Sequence, residues 1–144
     1  SSDVCSSDLE DRVRRQMAEF DNFRRRTEKE KEQMFSMGER NVLEKLLPVI
    51  DNFERGLQAI PEDEKDGAIA SGMDMIYRQL IKQMESLGVK QIECIGEDFN
   101  ADLHNAVMQV ESEELESGKV AQELQKGYLY HDSVLRHSMV AVVK

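Results

Sequence analysis

Residues 43–60 read LEKLLPVIDNFERGLQAI. Leu43, Leu46, Ile50, Phe53, Leu57 and Ile60 step three and four residues apart, the spacing that holds side chains on one face of a helix. Val42, Leu47 and Val49 widen that face. A stripe this broad must be buried against something. Pro48 sits inside the pattern, and a helix-interior proline removes one hydrogen bond and clashes with the turn before it. The spacing therefore predicts a helix with a kink or break within residues 40–48, beginning near Gly38.

Upstream, apolar positions recur at Leu9, Val13, Phe20, Phe23, Met34 and Met37, with Gln16, Thr27, Glu30 and Asn41 completing the same four-and-three stepping. Mostly charged residues lie between them. The prediction is one long amphipathic helix of about 55 Å at 1.5 Å per residue. A lone helix cannot bury its stripe, so Phe20 and Phe23 are assigned to a helix–helix seam. Leu9 to Phe20 and Phe23 to Met34 are each spaced by eleven, which favours a loose, nearly straight pairing over a tight left-handed zipper.

Downstream, PEDEKDG at 61–67 is a loop by its proline, acid cluster and glycine. Ile69, Met73, Ile76, Leu80, Met84 and Leu87 then mark a second helix, with Tyr77 and Ile81 at its flank and Gly88 as its C-terminal cap. Two antiparallel helices of about 20 residues make half of a four-helix bundle. Their wide stripes imply a second copy as the other half. Leu43, Leu46, Ile50, Phe53, Leu57, Ile69, Met73, Ile76, Leu80 and Met84 are assigned to that dimer interface.

After Gly88 the apolar period shortens to two. Val89–Ile95, the alternation Ala106, Met108, Val110, the run Val120–Gln125, Tyr128 with Tyr130, and Met139–Val143 read as short strands. Turns fall at Gly96-Glu97-Asp98, at Glu113–Gly118 and at His131-Asp132. The expected fold class is α+β: a long dimerising N-terminal helix, a two-helix contribution to a dimeric four-helix bundle, and a small C-terminal all-β domain. The boundaries are 1–8 for a Ser/Asp-rich leader foreign to the rest, 9–40 for the long paired helix, 41–88 for the bundle, and 89–144 for the β domain.

Composition limits the function. The net charge is −10, and residues 46–144 carry nine Lys/Arg against eighteen Asp/Glu. Such an acidic part argues against nucleic acid, whose phosphates need clustered basic residues, and against an anionic membrane surface. No apolar run approaches the ~20 residues that span a bilayer. Cys5 and Cys94 form no CxxC pair and no zinc spacing, and nothing points to an oxidising compartment, so a cytoplasmic location is expected. His104, His131 and His137 lack the spacing of a helical metal site, and no glycine pattern forms a phosphate-binding loop. No catalytic residue, metal or cofactor is assigned. Arg24-Arg25-Arg26 is open to two readings: a solvated face paired with Glu28, Glu30 and Glu32, or an anchor for an acidic protein partner.

Several stretches together resemble one family. They are AEFDNFRRRT at 18–27, LLPVIDNFERGL at 46–57, Gly72, Leu80, Leu87-Gly88-Val89, Phe99-Asn100, His104-Asn105-Ala106-Val107, Gly127-Tyr128 and Val134-Leu135-Arg136. In this order and spacing they look like GrpE, the nucleotide-exchange factor of DnaK-type heat-shock chaperones. The resemblance covers residues ~12–144. It implies a homodimeric co-chaperone, not an enzyme, that grips the chaperone's ATPase domain and holds its nucleotide cleft open so that ADP leaves. The factor itself would bind no nucleotide. Carried over by position, the chaperone contacts would be Arg24, Arg25, Gln33 and Met37 on the first helix, Arg55 near the bundle, and Leu124, Ser133 and Val142 in the β domain. Leu124 and Val142 fit equally well as β-domain core, since alternate strand residues face inward. Gly72 fits close helix packing.

The chain departs from the family pattern at Asn100-Ala101, where Asp-Pro is usual, at Asn105, where Glu is usual, and at Ser133, where Arg is usual. Ser133 would weaken one charged contact. Polar seam residues Thr27, Glu30 and Asn41 predict that the long helix melts reversibly before the β domain does. Three rivals remain: a coiled-coil adaptor, a small hydrolase or isomerase using His104, and a nucleic-acid binder using Arg24–Arg26.

Overall fold

The computed structural model describes residues 2–144; Ser1, the first residue of the expected leader, lies outside the described residues. The fold is α+β. Helix α1 runs Ser2–Gln58 and helix α2 Ala68–Ser86, followed by six short strands. The chain divides into two compact units, the first ending at Asn41 and the second running Val42–Lys144.

In the first unit, the helix carries its apolar residues in the open: Phe20 is 66% and Phe23 55% exposed, and Met34 and Met37 are exposed as well. Residues 2–8 are helical too, continuous with the rest of α1. Its ion pairs are local, Arg25 with Asp21 at 3.2 Å and Arg24 with Glu28 at 3.6 Å. The Arg26 guanidinium lies 5.6 Å from the Phe23 ring centroid.

Of the kink or break expected within residues 40–48, a break does not occur; α1 continues through Pro48. Leu43, Leu47 and Ile50 flank the proline and are 1–2% exposed. Burying three such side chains contributes about 1.5–3 kcal/mol each. That outweighs the ~3 kcal/mol cost of an interior proline. Pro48 itself lies on the exposed side of the helix.

Strands β1 (Val89–Gln91), β4 (Tyr128–Tyr130) and β5 (Ser133–Arg136) form an antiparallel sheet in the order β1-β4-β5. Strands β2 (His104–Val110), β3 (Val120–Gln125) and β6 (Ser138–Val143) form a mixed sheet in the order β2-β6-β3, with β2 parallel to β6. Val89 pairs with Tyr130, Tyr128 with Arg136, and His104 with Ser138. The expected strand Val89–Ile95 is only three residues long. His131 and Asp132 have φ of 45° and 67°, as the tightest hairpin turns require, and they join β4 to β5.

The second unit has two cores. Leu43, Leu47 and Ile50 of α1 and Met84 of α2 pack with Val89, Tyr128, Tyr130 and Leu135 of the first sheet, and Tyr77, Leu80 and Ile81 cover them. Cys94, Val120 and Val140, with Val142, form a separate core in the second sheet. Three residues assigned to the dimer interface, Leu43, Ile50 and Met84, are thereby buried within the chain, and Leu80 packs against them. The corrected picture is a helix with two apolar faces. Leu43, Leu47 and Ile50 face the chain's own sheet, while Val42, Leu46 and Val49 are 59%, 40% and 55% exposed. Steps of three and four fit both faces, so spacing alone merges them into a single stripe.

Candidate partner-docking site

The C-terminal part of α1 and strand β3 enclose a cleft of about 190 Å³, lined by Asp51, Glu54, Arg55 and Gln58 on one side and Glu123–Lys126 on the other. A helix presents every third or fourth residue to the same side, and so Asp51, Glu54, Arg55 and Gln58 share this face. Arg55 and Leu124, brought together by no pattern visible in the sequence, meet in this cleft.

Four of its lining residues, Asp51, Glu54, Gln125 and Lys126, belong to a dense polar network. The Arg136 guanidinium donates to both oxygens of Asp51, Nη1 to Oδ2 at 2.6 Å and Nη2 to Oδ1 at 2.7 Å. Its Nε donates to the Lys126 carbonyl at 3.0 Å. Gln125 Nε2 donates to Asp51 Oδ2 at 3.1 Å. Both side chains of the Asp51–Arg136 pair are mostly buried, at 15% and 20% exposure. A forked, charge-assisted pair in such surroundings is far stronger than a surface pair. Glu54 collects three partners at Oε1: the Tyr77 hydroxyl, the Tyr128 hydroxyl at 3.4 Å and the Lys126 ammonium at 3.4 Å. Burial first, and the adjacent Glu54 carboxylate second, push both tyrosines well above the ordinary phenol range, so they stay protonated donors. Tyr77 also stacks on Phe53 at 5.9 Å, joining α2 to α1.

The other candidate residues are scattered. Arg24 and Arg25 carry their helical ion pairs in solvent, and Gln33 and Met37 are exposed on the same unit. Leu124 is 47% exposed. Ser133 is exposed in the turn-proximal end of β5, its hydroxyl donating to the Tyr130 carbonyl at 2.7 Å. Val142 packs against the second core, half-buried. Of the remaining interface candidates, Leu46, Ile69, Met73 and Ile76 are exposed, Ile69 at 85%, whereas Phe53 and Leu57 are half-buried.

His104 is 5% exposed and paired in register with fully buried Ser138. Its Nδ1 accepts from the Asn100 backbone N–H at 3.1 Å, and burial lowers its pKa. Asn100 thus caps the turn before β2, with its Oδ1 also accepting from Asp102 N–H at 2.9 Å. Asp51, Glu54, Tyr77, Lys126 and Arg136 carry no mark in the sequence that singles them out as site residues. Asp51 and Arg136 do lie within the family-like stretches 46–57 and 134–136, but a pair 85 positions apart leaves no local signal.

Fold and site define an α+β protein whose small β head is fastened to its helical hairpin by a shared core and a polar network. The chain belongs to the GrpE family, whose sequence model matches residues 4–144. It is similar to Protein GrpE of Lachnoclostridium phytofermentans, 57% identical over 136 residues, covering 94% of this chain and 61% of that protein. It is 46% identical over 134 residues to Protein GrpE of Halalkalibacterium halodurans, covering 93% and 69% of the two chains. With Protein GrpE of Bacillus pumilus it shares 44% over 133 residues, covering 92% and 72%. The chain thus spans about three-fifths to seven-tenths of the length of these relatives.

Proposed function

We propose that this chain acts in the cytoplasm as a homodimeric nucleotide-exchange factor for a DnaK-type chaperone, in protein folding and the heat-shock response. It binds the chaperone's ATPase domain, favours the open nucleotide cleft and so releases ADP, without binding nucleotide itself. A factor of this kind shifts the cleft only by binding its open state more tightly than its closed state. Family membership supports the assignment, and one observation carries it to particular residues. Arg55 and Leu124, which the resemblance names as contacts, line one open cleft between helix and head. Arg24, Arg25, Gln33 and Met37 offer a second, exposed contact on the first unit.

The dimer is supported by the apolar surface left uncovered. Val42, Leu46 and Val49 on α1 and Ile69, Met73 and Ile76 on α2 remain exposed. An apolar groove of about 570 Å³ runs beside Ile60, Ile69, Ala70 and Met73. A second copy would cover these residues, with Phe20 and Phe23 paired along the long helix.

The test is release of a fluorescent ADP analogue from a DnaK-type chaperone, chased with ATP, with and without this protein. Removing the whole β head is a poor control, because Leu43, Leu47, Ile50 and Met84 would lose their cover. Leu124→Glu and Arg55→Glu alter exposed positions and spare the cores. Strong acceleration by the parent chain that both changes abolish supports the proposal. No acceleration by a folded dimer would sink it.

A further inference from the structure

The β head has two sheets with separate cores, and the core shared with the helices is that of the first sheet. Leu124 and Val142 belong to the second sheet. Whatever grips the second sheet must therefore transmit force to the helices through the neck between the sheets. Three connections cross that neck: residues 92–103 from β1 to β2, Gln125-Lys126-Gly127 from β3 to β4, and Arg136-His137-Ser138 from β5 to β6. The first of these is tied to the second where Ile92 N–H donates to the Gly127 carbonyl at 2.9 Å.

The neck is tightly closed. Gly127 N–H donates to Ser138 Oγ at 3.1 Å, and Ser138 is fully buried. A Cβ at Gly127 would lie 2.8 Å from the Arg136 carbonyl oxygen, so no side chain fits there. Asp51 of α1 meets the last two connections at once: Gln125 from one and Arg136 from the other. Arg136 in turn ties the two connections to each other through the Lys126 carbonyl. Lys126 adds a second tether to α1 at Glu54. Both Asp51 oxygens are occupied by these partners, and its side chain is 15% exposed, which leaves it little to offer a docking protein.

We infer that Asp51 and Arg136 are positioning residues: together they clamp the neck of the β head to α1, fix the angle at which the second sheet is presented, and so couple grip on the chaperone to opening of its cleft. This rests on the exchange function proposed above. A loose neck leaves the contacts of Leu124 in place but lets the head yield when the chaperone resists. The clamp therefore governs the maximal exchange rate more than affinity. Geometry matters as well as charge, because only a planar fork can serve Asp51 and the Lys126 carbonyl together.

The experiment uses the full chain with Asp51→Asn and, as the milder change, Arg136→Lys, each compared with the parent by circular dichroism. Two quantities are read. The first is stimulated nucleotide release as a function of factor concentration. The expected result is a maximal rate lowered by about tenfold or more, with the half-saturating concentration moved by less than about threefold, as for an interaction that matters at the barrier and not in binding. The second is amide hydrogen exchange in the absence of chaperone. The N–H groups of Ile92, Gly127 and Ser138 should exchange about tenfold faster or more, as local opening of the neck demands, while those of Val120 and Val143 in the second sheet keep their protection. Unchanged neck amides in both variants would overturn the clamp, as would a raised half-saturating concentration with the maximal rate intact. If the parent chain fails to accelerate release, the exchange function falls, and the amide measurement still decides the clamp.

Discussion

The two parts of helix α1, residues 2–41 and 42–58, share one continuous helix and have opposite fates. From residue 2 to 41 its apolar side chains are exposed and its ion pairs are local ones in solvent. From 42 to 58 the same helix buries Leu43, Leu47 and Ile50 and fixes Asp51 and Glu54 in a shared polar network with the β head. Helicity in the second half is secured by the chain's own sheet. In the first part no face is packed on the chain's own core, whereas most helical stability comes from packing a face and not from propensity. One continuous helix therefore holds two independently stabilised segments.

The largest expected effects come from the self-packed half. Ile50→Ala should destabilise residues 42–144 by about 2–5 kcal/mol, the usual range for truncating a large buried aliphatic. Phe23→Ala removes a side chain that is 55% exposed, and in chemical denaturation it should leave that same unit unchanged. Equal losses from the two substitutions would break the comparison. The halves should also separate on heating. Far-ultraviolet ellipticity should fall in a first, concentration-dependent and reversible step, with the near-ultraviolet signal of Tyr77, Tyr128 and Tyr130 surviving to a second step. A single coincident melt would mean that the halves are not independent.

A smaller loss is expected at the junction of helix and sheet. Gly88 follows α2 with φ of 92°, and a Cβ there would enter the His131 imidazole ring. The His131 N–H donates to the Gly88 carbonyl at 3.2 Å, so the two backbones cannot easily part. Gly88→Ala should cost about 1–3 kcal/mol, the range for a non-glycine residue held in the left-handed region. His131→Ala in the same background should recover part of it by removing the ring. No recovery would assign the whole cost to backbone strain. Both effects would be read as shifts in the denaturation midpoint of the second unit.

How far the sequence reveals this molecule depends on the range of the signals. The two helices, the Gly88 cap and the turn at His131-Asp132 depend on residues a few positions apart, and spacing alone exposes them. Pro48 misleads because its local cost is real but is outweighed by burial of Leu43, Leu47 and Ile50 against strands some 40 to 90 positions away. The parallel pairing of β2 with β6 and the division into two sheets are equally non-local. So is the cleft between α1 and β3: Arg55 and Leu124 are named through the family resemblance, while the Asp51–Arg136 ion pair becomes visible only in three dimensions.

The smallest expected effect contrasts the two cysteines, one in each unit. Cys5 is exposed and Cys94 buried. Burial first, then the hydrogen bond from its thiol to the Glu123 carboxylate at 2.8 Å, push Cys94 up to about 12. At pH 8 a thiol reagent should therefore modify one cysteine quickly, and Cys94 only after unfolding, because the thiolate is the reactive form. The same shift has a consequence for stability. Between about pH 9 and about 12 the unfolded chain gives up the Cys94 proton and the folded chain retains it. The folded state then binds more protons than the unfolded one, so stability is full below pH 9 and declines as pH rises through this window. Tyr77 and Tyr128 are shifted in the same direction and steepen the decline. Cys94→Ser should keep the hydrogen bond to Glu123 without an ionisable thiol, and its second-unit stability should fall less steeply across the window than that of the parent. An identical alkaline slope in the two proteins would assign the decline to the tyrosines alone. An alkaline loss of ellipticity in the first unit, where neither Cys94 nor the tyrosine network resides, that coincides with the decline of the second would show that the two parts of α1 are coupled after all.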